Sequence, residues 1–577
     1  MPPNTMDNTR RLSPLPFAVC AILIALVLLP FLLVKLPEHD ELPLLVMSDS
    51  INAVGVPLMY YGEDAGWGYG YVHPPLYTYA ISLVRAITPM VYSSFVAARI
   101  VGVLSLIVTI LLAYLIIRRL SPHHAGIFPI FLILYLLNAV VLRKSLLILF
   151  DTSLLSVLLL AFVYLFIRFR RIQGAGHYAL LLLVFTLALW TKFTTPYLML
   201  AGIVIYTLIR REYARLFSYA AVGVGSTLLF VGTWYLYTQL ISGPFLTPFQ
   251  TTLFGRIVGD SLSFSLVLRH IANFAYHLFW FSPAFILLLL FALGERAKDY
   301  WRTRSASVLD FFALYIVVTW GAYLIRAPNI NYLFPIVPIA VILLSFSVHR
   351  HLHISAKAAW RGVACMLALF AYYLLLPDPL LLLQDILPWD AGSLPMLLAL
   401  AAYVAPVAAV AFPLAARNQR LFVALCIILL VPMSLSLAVT QAFASYSTEI
   451  LYGREGYVET LAYAQKHVSP NDLVVTEDEI AYFNGNRFYP VNPLTQFNIC
   501  GDPISTIGAV HSTCGLGLVR DTYNITEVIL VHDITYIIYS DFPREVKGGL
   551  SPEAIAVLAG YYRLEQRFGD FYVYQKT

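Results

Sequence analysis

The chain has 577 residues, of which 60% are hydrophobic and 12% charged, with a mean hydropathy of +0.76. Soluble proteins carry about 25% charged residues, so this composition excludes a soluble enzyme, a disordered chain and a nucleic-acid binder. The net charge of +5 is small for this length, and its placement along the chain informs more than its size.

Apolar runs long enough to cross a bilayer recur along the first three quarters of the sequence. Their polar breaks predict spans near 15–36, 93–117, 126–147, 151–168, 178–193, 195–210, 217–241, 271–294, 306–325, 332–348, 360–377, 394–415 and 420–441. The first run is too long for a signal-peptide core and lacks a small-residue cleavage site before Glu38, so it counts as a span. The expected class is a polytopic α-helical membrane protein with about 13 transmembrane helices.

Lys and Arg in the breaks predict the orientation. Before residue 442, 19 of the 28 cations fall on alternate breaks that include Arg10, Arg118, Arg168, Arg210, Arg296, Arg350 and Arg417. The opposite breaks hold eight: Lys35, Arg85, Arg143, Lys144, Lys192, Arg256, Arg269 and Arg326. This bias predicts a plasma-membrane protein with a cytoplasmic N-terminus and an extracytoplasmic C-terminus.

Past residue 441 charges and turn residues return. The spacing predicts a helix over 455–468, strands over 472–476 and 534–540, a helix near 551–560 and a hairpin over 561–575 turning at Gly569-Asp570. Alternating helices and strands predict a small α/β domain over 442–577, beside a membrane domain over 1–441. Cys500 and Cys514 lie in this tail, and a disulfide between them would close a 15-residue loop, stabilising the domain by about 3 kcal/mol in an oxidising compartment.

The segment 37–94 is unusual, because the other outer loops are mostly short. It opens with Glu38-His39-Asp40-Glu41 at the mouth of the first span. An amphipathic stretch (42–61), a Gly/Tyr/Trp-rich turn (62–72) and His73-Pro74-Pro75-Leu76 follow, a pattern expected of two short helices along the membrane surface. Other ionisable residues fall at span ends on the same membrane face: Arg143-Lys144, Asp151, Lys192 and Arg326, with Tyr332 close behind. Each has a bland reading. Acids at a loop end are solvated, a lone lysine snorkels, and an Arg-Lys pair anchors an interface. Gathered on one face, they instead suit an anionic ligand attended by an acid or base.

Taken in order, Asp40-Glu41, His73-Pro74-Pro75-Leu76, Arg99 in Ala97-Ala98-Arg99-Ile100, Asp151, Thr191-Lys192 and the run Tyr332 to Pro338 resemble the GT-C membrane glycosyltransferases. The likeness is to the protein O-mannosyltransferase and aminoarabinose transferase branch, of bacterial type, and covers roughly residues 15–345. It implies transfer of a sugar from a polyprenyl-phosphate donor to a glycan, lipid or protein acceptor on the outer face, with inversion. Asp40 is then the expected base, with Glu41 second. Arg143, Lys144, Lys192 and Arg326 are expected to stabilise the departing phosphate. His73 either donates to that phosphate or caps its helix, and Asp151 either orients the acceptor or holds an arginine. Tyr332 is expected to line the substrate site. A divalent cation could join the carboxylates, as in distant members of the superfamily, but the sequence offers no compact ligand set. The soluble part departs from the protein O-mannosyltransferases, whose extra module lies between spans, and this puts a protein acceptor in doubt. Two other classes compete. A transporter or flippase of lipid-linked saccharides should show repeated halves and polar residues at mid-membrane; neither is evident. A non-catalytic receptor or assembly protein predicts that Asp40 and the outer cations are dispensable.

Overall fold

The computed structural model describes residues 41–60, 67–69, 74–87, 94–136, 138, 140–141, 152–169, 174–241, 245, 271, 281–325, 330–353, 357, 360, 417–430, 450–451, 454–476, 480–481, 484–490, 525–540 and 559–577. The predicted spans at 15–36 and 394–415, and all of 360–377 but its first residue, lie outside these residues.

The long outer loop folds as expected into two short helices, α1 (Glu41–Val54) and α2 (Leu76–Ile87), with a small hairpin of β1 (Leu58–Tyr60) and β2 (Trp67–Tyr69) between them. Tyr79 N–H donates to the Pro75 carbonyl, so the proline pair forms the entry to α2. Leu44, Leu45 and Met47 of α1 and Tyr77 and Ile81 of α2 form a local core with Ala98 and Val101 of the next helix. Arg85 of α2 ties the two short helices together, donating to Ser48, Asp49 and the Leu45 carbonyl.

The bundle continues with α3 (Ser94–Leu120), α4 (Ile127–Leu136), α5 (Ser153–Arg168), α6 (Ala175–Thr191), α7 (Thr195–Ile209) and α8 (Tyr213–Leu240). Then come α9 (Pro283–Thr303), α10 (Val308–Ile325), α11 (Ile330–Leu333), a 3-10 turn (Phe334–Ile336), α12 (Val337–Leu352) and α13 (Gln419–Leu430). Among the described residues, three helices are long and apolar enough to cross a membrane: Ala97–Leu120, Tyr213–Leu240 and Phe334–Leu352. Most of the other described spans appear as shorter apolar helices. Leu228, Leu236 and Leu240 of α8 are well exposed, as a lipid-facing surface requires. Helices α7 and α10 approach closely because position 202 is glycine. A Cβ there would stand 3.2 Å from the Tyr315 Cα, so the small residue admits the neighbouring backbone.

One boundary needs correction. The span expected to end at 294 continues as α9 to Thr303. Its last turns carry Glu295, which pairs with Ser347 and His351 of α12, and Asp299, which accepts from Arg350 of α12 and from Arg296 of its own helix. Partners on a neighbouring helix hold these turns where hydropathy alone would end them.

The C-terminal segment contains a five-stranded sheet in the order β6-β5-β7-β9-β8. Strands β5 (Leu473–Thr476), β6 (Arg487–Pro490) and β7 (Tyr536–Ser540) are parallel, while β8 (Tyr562–Phe568) and β9 (Phe571–Lys576) form the expected antiparallel hairpin. Helix α14 (Tyr457–His467) shares one buried cluster with the sheet, and α15 (Ile525–Val531) contributes Val528 and Ile529 to a second. Strand β6, helix α15 and a two-residue ladder of β3 (Ile450–Leu451) with β4 (Arg454–Glu455) were not expected from the spacing. The predicted helix at 551–560 falls largely outside the described residues, as do Cys500 and Cys514.

Gly456 enters α14 with φ +82°, and a Cβ there would collide with the Phe568 carbonyl. A left-handed non-glycine residue costs about 1–3 kcal/mol before any collision. Gly456→Ala is therefore expected to open this segment, seen as faster proteolysis after residue 441 with the bundle still intact. Unchanged cleavage would count against a fixed α14–hairpin contact.

Candidate functional site

Glu41 is the first residue of α1, and Arg99 lies in the second turn of α3. Arg99 Nε donates to Glu41 Oε1 at 3.0 Å, and its second nitrogen donates to Oε2 at 2.7 Å. The side chains are 0% and 3% exposed. A planar guanidinium matches a carboxylate in this two-pronged way, which fixes orientation as well as charge. The start of α1 also favours a negative side chain, because its backbone N–H groups point outward there. Glu41 was expected as the second choice of base. Both of its oxygens are held by Arg99, so its geometry suits a brace that joins the outer loop to the bundle. Asp40, its covalent neighbour, lies outside the described residues.

Two further bonds draw the outer loop over the same end of the bundle. Ser153, at the start of α5, donates to the Tyr77 hydroxyl at 3.0 Å. Thr152 and Ser153 are buried, so the stretch that follows Asp151 is packed beneath α2. The Tyr79 hydroxyl donates to the Gly55 carbonyl at 3.0 Å and lies 3.2 Å from the Tyr237 hydroxyl of α8. Tyr237 also packs edge-on against Trp190 of α6, at 5.5 Å between ring centres.

Lys192 follows directly at the end of α6. Its backbone N–H still bonds the Ala188 carbonyl at 2.9 Å, while its own backbone is extended. The residue is 3% exposed. Its Nζ lies 3.9 Å from the centre of the Tyr332 ring, within the range of a cation–π contact. Tyr332 stacks on Tyr323 at 5.5 Å, and the Tyr323 hydroxyl lies 3.3 Å from Thr195 Oγ1. The negative end of α6 adds to the ring in favouring a charged amine there. A buried ammonium group on aromatic rings at the end of a bundle can hold an anion.

Of the expected site residues, the structure therefore places Glu41 beside Arg99 and Lys192 on Tyr332. Asp40, His73, Arg143, Lys144, Asp151 and Arg326 lie outside the described residues. Arg99 stood out in the sequence as a motif residue, but nothing in its spacing pointed to Glu41, 58 positions away. Tyr77, Ser153, Thr195 and Tyr323 gave no signal at all. Hydroxyls in apolar helices are common, and only the packing shows which of them meet. Among the described residues, no three His, Cys, Asp or Glu side chains gather as a metal site.

Residues 72–237 match the family model described as dolichyl-phosphate-mannose-protein mannosyltransferase. No curated protein matches the chain by sequence. Among solved structures, the fold is similar to ArnT from Cupriavidus metallidurans bound to undecaprenyl phosphate. The TM-score is 0.60 at 13% identity, covering 97% of each chain. The apo state of the same protein matches with a TM-score of 0.58 at 16% identity, again over 97% of each chain. The matched family segment holds Arg99, Ser153, Lys192 and Tyr237, most of the site described above. The chain therefore carries a segment similar to that mannosyltransferase family and shares the overall fold of ArnT.

Proposed function

We propose that the chain transfers a sugar from a polyprenyl-phosphate donor to an acceptor at the outer face of the membrane, inverting the anomeric carbon. The observation that carries this reading is the buried Lys192 ammonium on Tyr332, at the end of the bundle where Arg99 braces the acidic outer loop. A fold shared with a protein that binds undecaprenyl phosphate supports the choice of donor.

In this mechanism the acceptor hydroxyl attacks the anomeric carbon while Asp40 takes its proton. The bond from that carbon to the phosphate oxygen breaks, and the carrier phosphate leaves with the bonding pair. Lys192, aided by Arg143, Lys144 and Arg326, stabilises the charge that builds on the phosphate. Glu41 and Arg99 hold the start of α1 against α3. His73 and Asp151 serve the donor phosphate and the acceptor respectively. A divalent cation, if bound, would sit at the outer carboxylates, and no step here depends on it.

The test is transfer by detergent-purified protein from a panel of radiolabelled polyprenyl-phosphate sugars, with membrane extract as acceptor. Wild-type protein should move label from at least one donor. Lys192→Met should lower the rate about 100-fold, the usual loss when one donor to a developing anion is removed. Transfer unchanged in Lys192→Met would remove Lys192 from the phosphate site. A chain that moved whole labelled lipid across the bilayer, with no transfer, would instead be a flippase.

A further inference from the structure

A cavity lies at the opposite end of the bundle. Arg99 and Leu120 both lie on α3, 21 residues and so about 30 Å apart along its axis. Beyond the far end, Ser121 and His124 join α9, α10 and α12 around a cavity of about 370 Å³. This end carries Arg118, Arg296 and Arg350, and the charge bias assigns it to the cytoplasm.

The lining has two parts. Leu309, Leu343 and Phe346 form an apolar wall, and His124, His349, His353 and Arg350 form a polar side. Glu295, which also lines the cavity, accepts from Ser347 and, at 2.6 Å, from His351. Asp299 accepts from Arg296 and, at 2.6 Å, from Arg350. Asp310 Oδ2 accepts from the Ser307 backbone and hydroxyl, while its Oδ1 lies 4.0 Å from Arg296 and has no hydrogen-bond partner among the described residues. The histidines are less occupied. His349 Nε2 lies 3.4 Å from His124 Nδ1, while the buried His349 Nδ1 has no hydrogen-bond partner among the described residues. An acceptor oxygen in the cavity would lie beside the His349 ring and reach the exposed Arg350 guanidinium, whose side chain is 53% exposed.

We infer that this cavity binds a phosphate group, held by His349 and Arg350 with His124 and His353 beside them. The apolar wall places an amphiphile there, with its phosphate among the histidines and the start of its chains against Leu309, Leu343 and Phe346. Basic pockets between transmembrane helices recognise anionic headgroups by this combination. The site lies far from the transfer chemistry and does not rest on it.

The test uses full-length protein in nanodiscs containing photoactivatable phosphatidylglycerol, or the matching phosphatidylcholine as control. Mass spectrometry then maps the labelled peptides. The expected result is labelling of peptides carrying residues 121–127 and 343–353, about tenfold stronger with phosphatidylglycerol. The double variant His124→Ala, His349→Ala should lose that excess. Inorganic phosphate that abolishes the label identifies free phosphate as the natural source, and label that survives it identifies a lipid headgroup. Equal labelling by the two lipids, or labelling confined to other peptides, overturns the inference. Because this comparison needs only wild-type protein, it holds even if the double variant does not fold.

Discussion

Asp40→Asn is expected to lower sugar transfer by about 1,000-fold while leaving donor binding nearly unchanged. A general base contributes about 10²–10⁴ in rate, and asparagine keeps the shape of aspartate but cannot accept the acceptor's proton. The loss should fall on kcat, because the base acts only as the hydroxyl attacks. The structure sharpens the choice between the two adjacent acids. Both oxygens of Glu41 are held by Arg99 in a buried fork, so a proton arriving at Glu41 would have to break an ion pair first. The rate is measured with the best donor of the panel, and binding of the same donor is measured separately. Full activity in Asp40→Asn would remove Asp40 as base and point to Asp151. Equal losses in kcat and in donor affinity would make Asp40 a binding group instead.

The largest expected loss of stability comes from Arg99→Met. The Glu41 carboxylate is 0% exposed and Arg99 is its counter-charge. Removing one partner of a buried pair takes a counter-charge from the other and costs about 3–5 kcal/mol. Replacing both partners by apolar residues of similar volume is far milder, since no buried charge is left. Arg99→Met alone should therefore shift unfolding in mixed micelles strongly, and Glu41→Met with Arg99→Met should recover most of that shift. A single variant as stable as wild type would mean that water reaches Glu41 and that the brace is not buried. The doubly substituted protein should still transfer poorly, because the start of α1 is no longer aimed by a directional bond. That split between recovered stability and lost activity separates positioning from simple packing.

Much of the membrane architecture was readable from hydropathy, because a bilayer demands continuous apolar helices whatever they pack against. The helices at 94–120, 195–209 and 308–325 fall within a few residues of their predicted spans. Helix α9 overran its predicted end because ion pairs from α12, distant in sequence, hold its polar turns. In the C-terminal segment, the hairpin at 562–576 was legible from alternation and from Gly569-Asp570. Strand β6 was not. Its four residues, Arg487–Pro490, carry too little alternation, and it forms by pairing in parallel with β5.

The sequence by itself determined the solvent in which this protein folds and the order of its helices. Composition and charge bias act locally, residue by residue, so they survive without coordinates. Tertiary structure decided which of those groups meet. It spent Glu41 on Arg99, set Lys192 on Tyr332 and tied Ser153 to Tyr77. These pairings span up to 140 residues of chain. Their partners are chosen by how helices cross and which side chains are shut away from water, and neither is written in local spacing.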